Sequence, residues 1–266
     1  MNNGMTGQVI QSAADVYETF FVPALFQEWA NQVATVAQLP KGARVLDVAC
    51  GTGILARNLA ERVGASGAVV GLDINEGMLT VAQRQSSAVV WRHGNAEALP
   101  FDNDEFSAAL SQFGLMFFTD RKQAIQEMAR VVEPGGRVVV AVWDRLEKTQ
   151  GYAKIAELVQ QLFGSDAADA IRAPFCLGDR NELQKLFSDQ SLTDLQIVTR
   201  TGTARFPSID GWIYTEIKGW TLADYLSDEQ FEQLLAEARI ALQSYINAQG
   251  IVTFTTSAHI VSATVV

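Results

Sequence analysis

Between Ala13 and Val36, apolar side chains recur at helical spacing: Tyr17, Phe20, Phe21, Leu25, Trp29 and Val33. The spacing predicts helix, and Pro23 predicts a break with a second helix starting there, because proline is accommodated at a first helical position. The pattern then changes. LPKGARVLDVA reads as a turn and a short apolar strand ending near Ala49, and ILARNLAERV as an amphipathic helix. AVVGLDI is a second strand ending at Asp73, NEGMLTVAQRQ a helix, VVWRHGNA a third strand running into a loop, and FSAALSQF a fourth strand. DRKQAIQEMARVV is helical and closes at Glu133-Pro134-Gly135-Gly136, and RVVVAVW is a fifth strand. Strand and helix alternating in this way predict a parallel sheet with helices on both faces.

After Trp143 the alternation ends. Helices are predicted near residues 151–163 and 181–188. DLQIVTRTGTARF alternates like a strand with one exposed face, and FPSIDGWIYTEIKGW is aromatic-rich and predicted irregular. DEQFEQLLAEARIALQSYINAQ reads as a long helix and TFTTSAHIVSATVV as a final strand. The two late strands predict an antiparallel pair appended to the sheet, with the segment between them as a helical lid.

Composition narrows the function classes. In 266 residues, 48% are hydrophobic and 19% charged, as in a globular protein with a sizeable core. The formal net charge of -10 offers no basic face for phosphates, so neither nucleic acid nor membrane insertion is expected. Residues 240–266 carry no Asp, Glu, Lys or Arg, but polar residues interrupt them and their β-branched end suits a strand. The N-terminus has no basic residue before Lys41 and no signal-peptide pattern, so a cytoplasmic protein is expected. Cys50 and Cys176 form no CxxC and read as small buried hydrophobes.

The candidate chemistry starts at VLDVACGTG. Gly51-Thr52-Gly53, with Ala56 three residues on, has the G-x-G-x-x-A spacing of a Rossmann cofactor turn. Glycines let a ligand approach the backbone, and the next helix presents its N-terminus. Asp73, about 20 residues further on, suits the two hydroxyls of a ribose. NAD and S-adenosylmethionine share these features. Asp47 separates them: a carboxylate late in the first strand repels a pyrophosphate but attracts a sulfonium and an ammonium. The charge therefore favours S-adenosylmethionine.

VLDVACGTG, VVGLDI with Met78 after it, GNAEALPF and RVVEPGGRVVVAVW follow one another in order and spacing. Together they resemble the motifs of class I S-adenosylmethionine-dependent methyltransferases, in the branch similar to the ubiquinone and menaquinone C-methyltransferases, over residues 40–145. The expected fold is α/β: a Rossmann-like, mostly parallel seven-stranded sheet with an antiparallel C-terminal strand and a helical lid insertion. It would be one domain, with residues 1–38 as a helical cover, 39–145 as the cofactor-binding core and 146–266 as the C-terminal strands, the lid near 207–249. The resemblance assigns Asp47, Ala49, Gly51, Thr52 and Gly53 to the turn around the methionine portion and Asp73 to the ribose. Ile74 and Met78 would sandwich the adenine. Asn95 and Ala96 would meet its edge; many relatives have Asp at position 95, and an amide oxygen still accepts the adenine amino hydrogen. Glu97 reads as either a cofactor contact or a turn cap. Ser111 and Gln112 would lie beside the sulfonium.

Methyl transfer is an in-line displacement on an activated donor, and a weak nucleophile also needs a general base. No strong base stands out. His93 and His259 are weak candidates, each reading first as a structural group. No metal-ligand spacing occurs, so no metal is expected. Tyr17, Phe21, Phe113, Met116, Phe117, Trp143, Phe175, Trp212 and Trp220 are the candidate walls of a pocket for a flat or apolar small-molecule methyl acceptor. An NAD(P)-dependent oxidoreductase and a non-catalytic S-adenosylmethionine-binding protein remain as alternatives. The acceptor atom and the oligomeric state carry no signal in the sequence.

Overall fold

The computed structural model describes residues 11–218 and 226–266, so Trp220 lies outside the described residues. The first helical segment is one rod. α1 (Gln11–Val16) runs into a π-helical stretch, Tyr17–Phe26, and then into α2 (Gln27–Ala37). Pro23 sits inside the π-helical stretch and opens no new helix. There the Gln27 N–H donates five residues back, to the Val22 carbonyl. This wider turn absorbs a residue that lacks an N–H, which a regular α-helix would not do without a kink.

The predicted alternation follows: β1 (Arg44–Val48), α3 (Ile54–Val63), β2 (Ala68–Asp73), α4 (Glu76–Gln85), β3 (Val90–His93), β4 (Phe106–Gln112), α5 (Arg121–Arg130) and β5 (Val132–Trp143). Helix starts obey local chemistry: Asn75 caps α4 by accepting the Met78 N–H, and Asp120 caps α5 by accepting the Gln123 N–H. Beyond β5 come α6 (Gln150–Phe163), α7 (Ser165–Arg172), α8 (Arg180–Leu186), β6 (Leu192–Phe206), α9 (Ile209–Lys218), α10 (Asp228–Ala241) and β7 (Val252–Val265). α9 corrects the expectation of an irregular segment. Its local helix signal is weak, with Gly211 near its start. Burial of Trp212, Ile213 and Ile217 on one face supplies what propensity lacks.

The seven strands form one sheet in the order β3-β2-β1-β4-β5-β7-β6. β1 to β5 run parallel, while β7 runs antiparallel to both β5 and β6. β7 is an interior strand covered on both faces, which explains its charge-free sequence. β6 is an edge strand; covered and exposed side chains alternate over residues 194–197 and 202–206, but residues 199–201 between them are all exposed. Strand order reverses between β1 and β4, and a ligand cleft forms beyond the strand ends at such a reversal. Among the described residues, no helix is long and apolar enough to cross a membrane. Cys50 is buried as expected, but Cys176 is exposed. It ends a short turn in which Phe175 takes the inward position, 6.2 Å from Trp143 and 5.7 Å from Tyr152 between ring centres.

Candidate active site

Two chain reversals shape the cleft. Ala49, just past β1, and Phe113, just past β4, both have left-handed backbone (φ 56° each). Non-glycine residues adopt this region rarely, and such strain collects at functional sites. Each is pinned by its neighbourhood: the Cys50 N–H donates to the Leu72 carbonyl at 3.0 Å, and the Phe113 N–H donates to the Ala141 carbonyl at 2.9 Å. The two glycines of the turn differ. A Cβ on Gly53 would meet the Trp91 ring at 2.2 Å, whereas a Cβ on Gly51 would meet nothing within 4 Å. Gly53 is a packing requirement, and Gly51 borders open space.

That space is an open cleft, about 890 Å³ with its solvent-open part included, lined by Asp47, Ala49, Gly51, Thr52, Asp73, Ile74, Met78 and Gln112, among others. Asp47 is 1% exposed, and neither carboxylate oxygen has a hydrogen-bond partner. Burial pushes its carboxyl well above the ordinary range; the Ala56 N–H near the start of α3, outside hydrogen-bond geometry, still offsets part of this, and the Asp73 charge adds to it. Asp73 accepts the Gly51 N–H through Oδ2 at 2.7 Å and the Asn75 N–H through Oδ1 at 2.8 Å. Burial raises its pKa despite these bonds. Arg57 bridges Glu18 at 2.8 Å and donates to the Thr52 carbonyl at 2.7 Å, which ties the N-terminal rod over the glycine turn.

An adjoining cavity shares Ala49, Asp73, Ile74, Phe117 and Phe118, and adds Asn95, Ala96 and Glu97. Asn95 Oδ1 accepts the Glu97 N–H at 2.9 Å, and Glu97 Oε1 accepts the Thr119 N–H at 2.8 Å. Glu97 therefore caps the Thr119 turn while also lining the cavity. Ser111 is fully buried with its hydroxyl unpartnered and is absent from the lining, whereas Gln112 reaches it and donates to the Phe26 carbonyl at 3.3 Å. An unpartnered buried carboxylate suits a cation, the Asp73 carboxylate suits vicinal hydroxyls, the half-exposed Ile74 and the buried Met78 suit a flat ring, and the open face of Gly51 admits close approach. The donor set fits S-adenosylmethionine.

A third cavity, about 500 Å³ with its solvent-open part included, meets the first at Tyr17, Phe113 and Phe117. Phe21, Trp143 and Phe175 line it, with Leu25 and Phe26 beside them. Phe26 stacks on Tyr17 at 5.1 Å. Burial, then the Asp73 charge, pushes the Tyr17 phenol up, so it stays neutral. Two predicted wall residues lie elsewhere. Met116 is buried beneath the cavity, and Trp212 packs into the core 4.6 Å from Phe254 and 5.4 Å from Phe206. The wall contains a group that the sequence reading missed. Glu216, from α9, is buried and accepts the Tyr152 hydroxyl at 2.8 Å. Burial pushes its carboxyl up to about 7, offset in part by that bond.

Neither histidine reaches a cavity wall near the cofactor cleft. His93 ends β3, with Nε2 3.0 Å from the Ile74 carbonyl. His259 is 2% exposed, with Nδ1 2.9 Å from the Thr199 hydroxyl and Nε2 3.2 Å from both the Gly178 carbonyl and Asp144. Ser257 donates to the other oxygen of Asp144 at 2.8 Å. This network fastens the Gly178 loop to the end of the sheet.

Residues 6–170 match the ubiE/COQ5 methyltransferase family. A demethylmenaquinone methyltransferase of Bacillus licheniformis is 32% identical over 199 residues, 70% of this chain and 85% of that protein. One of Bacillus subtilis is 31% identical over 201 residues, 70% and 86% of the two chains. The fold is similar to that of Haemonchus contortus phosphoethanolamine N-methyltransferase 2, solved with phosphomonomethylethanolamine and S-adenosylhomocysteine. The TM-score is 0.62 at 17% identity, over 96% of this chain and 57% of that one. It is also similar to the Bacillus subtilis YcgJ protein, with a TM-score of 0.59 at 20% identity, over 89% and 97% of the two chains. The chain belongs to the ubiE/COQ5 methyltransferase family and is an S-adenosylmethionine-dependent methyltransferase.

Proposed function

We propose that the methyl acceptor is a small, flat, aromatic or otherwise apolar molecule held in the cavity of Phe21, Phe26, Phe113, Trp143 and Phe175. The observation that carries this reading is the shared wall: Tyr17, Phe113 and Phe117 border both the cofactor cavity and the aromatic one. S-adenosylmethionine supplies an activated methyl group. The chain's own task is then to align the acceptor and exclude water. In this reading Asp47 faces the cationic methionine end, Asp73 holds the ribose, Ile74 and Met78 flank the adenine, and Asn95, Ala96 and Glu97 border its edge. The aromatic walls orient a ring by stacking.

The named activity of the relatives, on demethylmenaquinone, makes a naphthoquinol-type ring the first acceptor to test. Free thiols at Cys50 and Cys176 and the net charge of -10 suit a cytoplasmic enzyme acting on small molecules. The test is transfer of labelled methyl from S-adenosylmethionine to a panel of phenols, quinols and small polar amines. Label is expected in the aromatic products. Transfer confined to the polar amines would overturn the reading.

A further inference from the structure

Among the described residues, the ionisable groups in the wall of the aromatic cavity are Tyr17, Tyr152 and Glu216, and Glu216 is the carboxyl group. It comes from α9, inside the β6–β7 excursion and beyond the 6–170 segment that matches the family. Its Oε2 is held by the Tyr152 hydroxyl from α6, and Oε1 has no hydrogen-bond partner among the described residues. Thr149 and Thr256 place two further hydroxyls in the same wall, both buried and unpartnered. Against Glu216 stands Tyr152. Behind Tyr152 lies Tyr17 from the π-helical stretch, and Asp73 acts on Tyr17 from the cofactor side. None of these is a cation. A carboxylate buried in an aromatic wall, with no cation beside it among the described residues, costs stability that a leucine or glutamine would not. It also provides what the sequence lacked, a proton acceptor in the wall of the aromatic cavity.

We propose that Glu216, held by Tyr152, accepts the hydroxyl proton of a phenol- or quinol-type methyl acceptor lying against Phe113 and Trp143. The inference rests on the aromatic cavity being the acceptor site. The acceptor O–H bond breaks, the proton passes to a Glu216 carboxylate oxygen, and the electron pair stays on the acceptor oxygen. That pair, directly or through the ring carbon beside it, forms the new bond to the methyl carbon, and the carbon–sulfur pair returns to sulfur. Positive sulfonium and negative carboxylate become neutral thioether and carboxylic acid, so charge balances. Where carbon is methylated, the ring carbon releases its proton to solvent and the oxygen takes back the one on Glu216. Tyr152 is a positioning residue: its hydrogen bond favours the ionised form of Glu216 and aims it.

The test uses the full chain saturated with S-adenosylhomocysteine and calorimetric titration with 2-naphthol and with 2-methoxynaphthalene, which has no proton to give. Between about pH 5.5 and about pH 8.5 the affinity for 2-naphthol is expected to rise about tenfold, as a charge-assisted hydrogen bond becomes available. That of the ether should stay flat. Glu216→Gln should abolish the rise, and Tyr152→Phe should move it to higher pH. In turnover with labelled S-adenosylmethionine and 1,4-dihydroxynaphthalene, Glu216→Gln should lower kcat by about a hundredfold or more, a larger effect than its loss of acceptor affinity. If neither naphthyl compound binds the wild-type protein, the aromatic-acceptor reading fails, and this inference with it. If both bind and the rise persists in Glu216→Gln, the inference alone is overturned. Should Glu216→Gln fail to bind S-adenosylhomocysteine and so prove misfolded, an unmoved rise in Tyr152→Phe overturns it instead.

Discussion

The rings of Phe113 and Trp143 lie 3.8 Å apart and within 8° of parallel. Trp29 meets both edge-on, at 5.8 and 5.7 Å. Phe113 holds this place through a left-handed backbone immediately after β4, so the strained residue is also the one that borders both cavities. Phe113→Ala should cost about 3–5 kcal/mol of stability, as for other buried aromatic truncations. It should also raise KM for an aromatic acceptor more than it weakens S-adenosylhomocysteine binding. Urea unfolding and calorimetry measure the two effects. An unchanged acceptor KM would remove the Phe113–Trp143 stack from the acceptor site.

The two turn glycines should separate folding from binding. Gly53→Ala drives a Cβ into Trp91 at a φ of +88° and should destabilise the free protein by more than about 2 kcal/mol. Gly51→Ala meets no atom within 4 Å, so only its φ of +54° resists, at about 1 kcal/mol. Its methyl group, however, enters the cleft proposed for the cofactor. Thermal unfolding should therefore report chiefly the Gly53 variant, and S-adenosylhomocysteine titration the Gly51 variant. Equal binding by Gly51→Ala and wild type would exclude a close cofactor approach there.

Asp47 and Asp73 should respond oppositely in the free protein. Asp47 carries an unpartnered buried carboxyl, so Asp47→Asn should stabilise the unliganded fold at neutral pH by about 1–3 kcal/mol. Asp73→Ala leaves the Gly51 and Asn75 N–H groups without their acceptor and should destabilise it. Both should weaken S-adenosylmethionine binding, Asp73→Ala by about 1–3 kcal/mol through lost charge-assisted hydrogen bonds. Binding of wild-type strength by Asp47→Asn would show that this carboxylate faces no cationic group of the cofactor.

Most of residues 44–143 was legible because the signals are local; the exception is residues 132–136, expected as a helix end and turn, which already form the start of β5. VLDVACGTG states strand, turn and helix start within nine residues, and Asn75 and Asp120 mark helix starts by their own side chains. The outcome differed wherever distant burial decided. Pro23 looked like a helix start because nothing nearby in sequence announces a π-helical register. Trp212 looked like a pocket wall, since an aromatic residue reads alike in a core and in a cavity. Glu216 gave no signal in FPSIDGWIYTEIKGW, because a glutamate in a polar-aromatic run reads as solvated. Its meaning comes from Tyr152, 64 residues earlier, and only the fold brings the two together.

The same glutamate predicts a pH dependence of stability. Its carboxyl is raised from 4.5 to about 7 in the folded protein. Below pH 4.5 it is protonated folded or unfolded and contributes no slope. Between 4.5 and about 7 the unfolded chain has released the proton that the folded protein still holds, so stability falls as pH rises. Above about 7 both states are ionised and the loss is complete, on the order of 3 kcal/mol. Glu216→Gln has no such group. Its stability relative to wild type should therefore increase by that amount from acidic to mildly basic pH, while other carboxyls cancel in the comparison. Urea unfolding of both proteins in matched buffers across this window measures the difference. Parallel stability curves would mean that Glu216 ionises as readily in the folded protein as in water, and a carboxyl so solvated does not lie in the aromatic wall.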